Sequence, residues 1–339
     1  MITIGTDFSG IGAPEQALIG LGIKHKSVFA CDINKYAKQS FLANYKTETW
    51  FDDITQRDHK NTPYCDLYVA GFPCQAFSVA GKRKGFDDTR GTLFFDLFQY
   101  IDLKRPKYFV LENVKGLVKH DKGNTFKVIM DSLKRLNYTI YYKVLNTKHY
   151  GIPQNRERLF IIGFRESHEF DWPESVELKE TIEDFLETNV DKRFYLTPQR
   201  IKKLEEYNER NKKRGNGFRA KFHNVVKDIM SCLKVGGSGS SDLIEWIADV
   251  RTDQGIRIRK NRMSPCLTTS STPIIKQRKI RRLTPLECLR LQGFPDSFHQ
   301  NCVDAGVSDS QMYKQAGNSM TVNVMMALLN EILKNEKSV

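Results

Sequence analysis

Through the first half of the chain, short apolar runs alternate with segments of helical period, a pattern that predicts βαβ units and a largely parallel sheet. Residues 1–6 (Met-Ile-Thr-Ile-Gly-Thr) form the first run, followed by a glycine-containing turn and a helix over Pro14–Leu21. Ser27–Cys31 predicts a second strand ending at Asp32, and Lys35–Ala43 a second helix. Asp66–Ala70 and Tyr108–Leu111 are apolar enough to be central strands covered on both faces. Arg158–Gly163 predicts a later strand. After about Phe170 the texture changes. Lys and Arg crowd residues 192–221, a Gly/Ser run occupies 236–241, and a second basic, strand-prone stretch covers Arg251–Arg262. Helical pattern returns from Leu283 and ends in an apolar helix, Met320–Leu333. These features predict an α/β fold in two lobes, residues 1–170 and 171–279, followed by a hinge at 280–304. Residues 305–339 are expected to return to the first lobe.

Composition adds a direction. The chain has 339 residues and 40% hydrophobic content, enough for a substantial core. Its 53 Lys and Arg against 40 acidic residues give a net charge of +13, which suits a polyanionic partner but equally a solubilising surface. Seven cysteines form no Cys-x-x-Cys pair and no Cys/His ligand spacing, so no metal is expected and the thiols are read as free. The first residues form a strand-like run rather than an export signal, and no apolar stretch reaches the ~20 residues that span a bilayer. The expectation is a cytoplasmic protein without a membrane partner, and with no coiled-coil heptads, a monomer.

Four constellations carry candidate chemistry. Phe8-Ser-Gly10-Ile-Gly12 lies between a strand and a helix, where glycines let backbone approach a nucleotide. Asp32, at the end of the next strand, is placed to accept ribose hydroxyls. That pairing suits NAD as well, but the dinucleotide fingerprint requires Gly or Ala where this chain has Glu15. Gly71-Phe-Pro-Cys74-Gln-Ala-Phe-Ser78 sets a thiol at the carboxyl edge of the sheet, a nucleophile if its pKa is lowered and a buried structural cysteine otherwise. Glu112 follows a central strand's apolar run, in an environment that raises a carboxyl pKa. In Gln154-Asn-Arg156-Glu-Arg158 two arginines at i, i+2 share one face of an extended segment, placed to reach a substrate carbonyl or orient a carboxylate.

Taken together and in this order, the motifs resemble those of the cytosine-C5 DNA methyltransferase family, over almost the whole chain. Phe8–Gly12 is similar to its first motif, Asp32 and Asp53-Ile54 to its second and third, and Gly71–Gln75 to its catalytic motif, which continues through Gly81–Leu93. Glu112-Asn-Val114, Gln154–Arg158, Arg282–Pro295 and Tyr313–Ser319 resemble the later motifs. Two departures stand out. Thr6 occupies a position that is often acidic in the family, with Asp7 one place later, and Cys266 stands where a Thr is usual.

The resemblance implies a Rossmann-like S-adenosylmethionine-dependent methyltransferase sheet with a smaller, mostly β or irregular target-recognition domain. It implies S-adenosylmethionine as cofactor, held by Phe8, Ser9, Gly10, Ile11, Gly12, Asp32, Ile33, Asp53, Ile54, Gly71, Pro73, Leu93, Asn318 and Ser319. It further implies Cys74 as nucleophile on C6 of a flipped cytosine, Glu112 at N3, Arg158 at O2, and Arg156 fixing Cys74 and its loop. Double-stranded DNA is the implied partner, contacted by Gln75, Ser78, Lys82, Arg83, Lys84, Arg90, Arg251, Arg257 and Arg259, with a restriction endonuclease acting separately. Transfer RNA as substrate, a catalytically silent DNA binder and a nicotinamide oxidoreductase are the competing readings.

Overall fold

The computed structural model describes residues 1–73, 93–214, 221–224, 230–231, 242–251, 255–258, 275–334 and 336. At its centre is a seven-stranded sheet in the order β3-β2-β1-β4-β5-β8-β6. β1 (Ile2–Asp7), β2 (His25–Cys31), β3 (Thr47–Phe51), β4 (Leu67–Gly71) and β5 (Tyr108–Val114) run parallel. β6 (Thr139–Asn146) and β8 (Glu157–Phe164) complete it, with β8 antiparallel to both its neighbours. The parallel expectation therefore fails at one strand, for a reason of length. Only residues 147–156 link β6 to β8, including the two-residue β7 (Gln154–Asn155), too few for the crossover that a parallel neighbour requires.

Helices cover both faces. α1 (Ala13–Gly20), α2 (Lys35–Asn44) and α9 (Val322–Ile332) contribute to one apolar cluster, and α3 (Leu93–Lys104) and α4 (Asn124–Lys134) to the other. Alternation along the strands divides them: Phe29 and Tyr68 join the second cluster, Ala30 and Val69 the first. The strand order reverses between β1 and β4, and open α/β sheets offer a ligand crevice at the carboxyl ends of such a pair.

In the second half, α5 (Pro198–Lys213) precedes the short strands β9 (Lys221–Asn224) and β10 (Met230–Ser231). β11 (Asp242–Arg251) pairs antiparallel with β12 (Gly255–Ile258) and β13 (Ile275–Arg282), and parallel with β9. α5 was not foreseen, because Pro-Gln-Arg-Ile-Lys-Lys-Leu-Glu-Glu-Tyr-Asn-Glu-Arg-Asn-Lys-Lys carries almost no apolar stripe. Its start is nonetheless written locally: Pro198 occupies the first turn, and the Thr197 hydroxyl accepts the Arg200 amide.

β13 leads directly into α6 (Pro285–Arg290), α7 (Asp296–Asp304) and α8 (Asp309–Asn318). The joint is polar and buried. Arg281 donates to both Glu287 oxygens at 2.6 and 2.5 Å, and both side chains are almost wholly excluded from solvent. The same carboxylate accepts the Thr284 amide that opens α6 and the Glu187 amide of the incoming segment. One glutamate thus pins together the chain entering and leaving the second half. Replacing Glu287 by Ala strips the carboxylate from a buried guanidinium, so unfolding free energy should fall by about 3–5 kcal/mol. Denaturant unfolding midpoints measure this, and the double change Arg281→Met with Glu287→Leu should recover much of the loss.

Candidate functional site

The crevice at the carboxyl ends of β1 and β4 is a cleft walled by the loop after β1, the end of β4, Glu112 and the Asn318-Ser319 turn. The loop after β1 builds its floor. Phe8 and Gly10 both take positive φ, 53° and 55°, which turns the chain tightly out of the sheet. The Ser9 hydroxyl accepts the Cys31 amide at 2.9 Å, tying the turn to the end of β2. Asp32 follows on β2: its Oδ2 accepts the Gly10 amide and its Oδ1 the Asn34 amide, both at 2.8 Å. Burial raises the Asp32 pKa, against the pull of these two amides.

Phe8, Ser9, Gly10, Ile11, Gly71, Asn318 and Ser319 line this cleft together, although more than three hundred positions separate the first from the last. The others named from the sequence lie around it. Gly12 caps α1 in the left-handed conformation (φ 79°), and a Cβ there would come 2.4 Å from the Tyr45 ring, so packing alone already requires glycine. Ile33 is 80% exposed, next to Asp32. Asp53 accepts the Thr55 amide and hydroxyl, while Ile54 is buried in the core. Pro73 is exposed and Leu93 opens α3. Thr6, Asp7, Ala13, Pro14, Val69 and Met320 also line the cleft and were not anticipated. Asp7 is held from behind by a buried bidentate pair with Arg57 (2.6 and 2.7 Å), over which the Phe29 and Phe51 rings lie, and by the Tyr68 hydroxyl.

Glu112 opens onto the same cleft. It stands in register with Gly71 on β4, and a Cβ on Gly71 would approach the Glu112 carboxylate at 3.5 Å. Burial raises the Glu112 pKa, while Arg158 and then Arg156 pull it down. Arg158 Nε lies 3.1 Å from Glu112 Oε1. Arg156, 2% exposed, donates instead to the carbonyls of Gly317 (3.1 Å) and Ser319 (2.7 Å). The two arginines thus end on different partners while both act on one carboxyl. Between these groups Asn113 is buried and donates to the Phe72 carbonyl at 2.9 Å, fixing the peptide that leads to Pro73.

The C-terminal side of the cleft is secured by buried amides. Gln292 donates to the Ala316 carbonyl and accepts the Thr321 hydroxyl, and Gln154 donates to the Leu291 carbonyl. Gln315 bridges the Ser40 hydroxyl and the Tyr36 carbonyl, so that α8 is attached to α2. Cys74, Gln75, Ser78, Lys82, Arg83, Lys84, Arg90 and Arg259 lie outside the described residues. Arg251 ends β11, and Arg257 stands on β12 opposite Asp249. Among the described residues no helix is long and apolar enough to cross a membrane.

Comparison with known proteins assigns this arrangement. The chain is 39% identical to the type II methyltransferase M.HpaII of Haemophilus parainfluenzae, covering 96% of this chain and 88% of that one. It is 33% identical to the orphan methyltransferase M.SPRI of Bacillus phage SPR, with 96% of each covered. The fold is similar to that of the Dnmt2 methyltransferase of S. pombe, with a TM-score of 0.74 over 99% of each chain at 20% identity. The family model for C-5 cytosine-specific DNA methylase matches residues 5–334. By that match this chain, an enzyme on an α/β Rossmann-like scaffold, belongs to the C-5 cytosine-specific DNA methylases.

Proposed function

We propose that the enzyme transfers a methyl group from S-adenosylmethionine to C5 of a cytosine flipped out of a specific short sequence in double-stranded DNA, through a covalent Cys74–C6 adduct. The observation that carries this reading is the shared cleft: the Gly10 loop, the Asn318-Ser319 loop and the Arg158-bound Glu112 carboxyl open onto one space. Its residues fit the cofactor. A Cβ at Gly10 would meet only the Phe8 carbonyl, at 3.9 Å, so backbone faces open space there, and Asp32 retains lone pairs for ribose hydroxyls beyond the two amides it accepts. Bound there, S-adenosylmethionine supplies an electrophilic methyl on a sulfonium.

The chain's own groups supply the activation. Cytosine C5 is too weak a nucleophile until a thiolate adds to C6, the role assigned to Cys74. That addition pushes electron density onto N3. Glu112, its pKa raised by burial, keeps its proton at higher pH than an ordinary carboxyl and donates toward N3. Arg158, already at the carboxylate, holds Glu112 in place and presents its guanidinium to the base O2. Arg156 secures the loop carrying Asn318 and Ser319, and its action on Cys74 is a part of this proposal. Removal of the C5 proton and expulsion of Cys74 end the turnover. The segment around residues 171–279 is assigned to target recognition, with Lys82, Arg83, Lys84, Arg90, Arg251, Arg257 and Arg259 on DNA, and with Gln75 and Ser78 beside the nucleophile. A bacterial or phage cytoplasmic setting of restriction-modification type accords with the named relatives, a restriction endonuclease would act separately, and the absence of coiled-coil heptads in the sequence supports a monomer.

Incubation with methyl-labelled S-adenosylmethionine and unmethylated plasmid, followed by bisulfite mapping, should place label on cytosine at one recurrent short sequence. Cys74→Ser should abolish it; undiminished transfer by that variant, or transfer to RNA alone, would overturn the reading. Glu112→Gln should lower kcat by about 10²–10⁴-fold. Wild-type kcat/KM should fall as pH rises through the raised Glu112 pKa, since the proton is needed, and pH–rate profiles should show this limb flattened in Glu112→Gln.

A further inference from the structure

A second carboxyl lies just beneath the cleft and takes no part in the chemistry above. Glu15, in the first turn of α1, is 0% exposed. Its Oε1 accepts the Thr6 hydroxyl at 3.4 Å, and its Oε2 has no hydrogen-bond partner among the described residues. Thr6 is itself 2.7 Å from the Ser9 hydroxyl, which accepts the Cys31 amide. The Ser9 hydroxyl also donates toward the Thr6 and Cys31 carbonyls, so a short polar path joins the cleft wall to Glu15, and Thr6 and Ser9 both line the cleft. The Thr6 hydroxyl that ends on this carboxylate favours its anion, yet among the described residues no cation accompanies it. Tyr45 is the titratable group that feels Glu15, with its hydroxyl turned to Gln16. α9, packed along α1, has no ionisable residue before Glu331. The ion pair on neighbouring Asp7 is already closed by Arg57.

We infer that Glu15, behind the cleft wall, is the buried counter-charge that S-adenosylmethionine completes through the Thr6 hydroxyl rather than by contact, and that it releases its proton to solvent when that cation enters the cleft. The inference rests on the cofactor assignment proposed above. S-adenosylmethionine carries two positive groups and one carboxylate, so binding brings a net positive charge against a cleft wall whose Thr6 and Ser9 hydroxyls lead to Glu15. Without it, burial holds the Glu15 pKa at about 7, so that near neutrality the carboxyl is half protonated. A cation nearby favours the charged form, and the proton that Glu15 gives up is taken by the buffer.

Calorimetric titration of the purified protein with S-adenosylmethionine at pH 7, in buffers of different ionisation enthalpy, reads this directly. The wild type should release about half a proton per cofactor bound, rising toward one as pH is lowered to 6. Glu15→Gln should bind with that release lost, and Thr6→Val, which cuts the polar path, should reduce it. Binding by the wild type without proton release, or an equal release from Glu15→Gln, overturns the inference and leaves the cofactor assignment standing. Absence of any S-adenosylmethionine binding overturns both. The wild-type measurement decides by itself if the variants do not fold.

Discussion

Arg156 is the contact on which the site depends. A guanidinium buried at the strand-to-strand link has few ways to be satisfied, and here the carbonyls of Gly317 and Ser319 are among them. Those bonds fix the loop that presents Asn318 and Ser319 to the cleft. The same charge helps to set the Glu112 carboxyl, which Arg158 holds from the adjoining strand. Backbone carbonyls at the end of α8 are otherwise costly to bury, so the cation and the loop each make the other's position tolerable. Gln292 and Gln154 extend the arrangement, each donating a side-chain amide to a buried carbonyl.

Four carboxyls stand around one cleft in different electrostatic situations, and Asp32 is the one whose two oxygens accept backbone amides. Asp7 is closed by a bidentate guanidinium and a tyrosine hydroxyl. Glu112 is held by Arg158 at a single short contact and still faces the cleft. Glu15 is reached by the Thr6 hydroxyl and its own amide and, among the described residues, by no cation. Chemically identical groups are thereby held in different charge environments around one space.

What could be read from the sequence follows from what leaves a periodic or local mark. The central strands announce themselves through continuous apolar runs, and Asp32, Glu112 and Arg158 through their places at strand ends. The reversed β8 follows from the length of the preceding link, which pattern alone does not weigh. α5 escaped notice because a solvated helix needs no apolar stripe, although Thr197 and Pro198 mark its start. Buried ion pairs are the least legible. Arg57 and Asp7 lie fifty positions apart, and nothing local in either neighbourhood tells that they meet without water. Glu15 was visible only as a residue that spoils a dinucleotide fingerprint, while its burial depends on the packing of Tyr45, Thr6 and α9. Gly12 shows the converse: its identity was legible, but the Tyr45 ring supplies a reason that no fingerprint records.

The cleft takes one wall from the loop at Gly10 and another from the loop at Asn318, about three hundred residues apart in synthesis. At ribosomal rates the first wall waits ~15–60 s for the second. The sheet itself is complete in sequence by residue 164, about halfway through that interval, but the ligand chamber is not. The two walls of the cleft therefore meet only when the last helices settle, and the ligand space is a product of the finished chain.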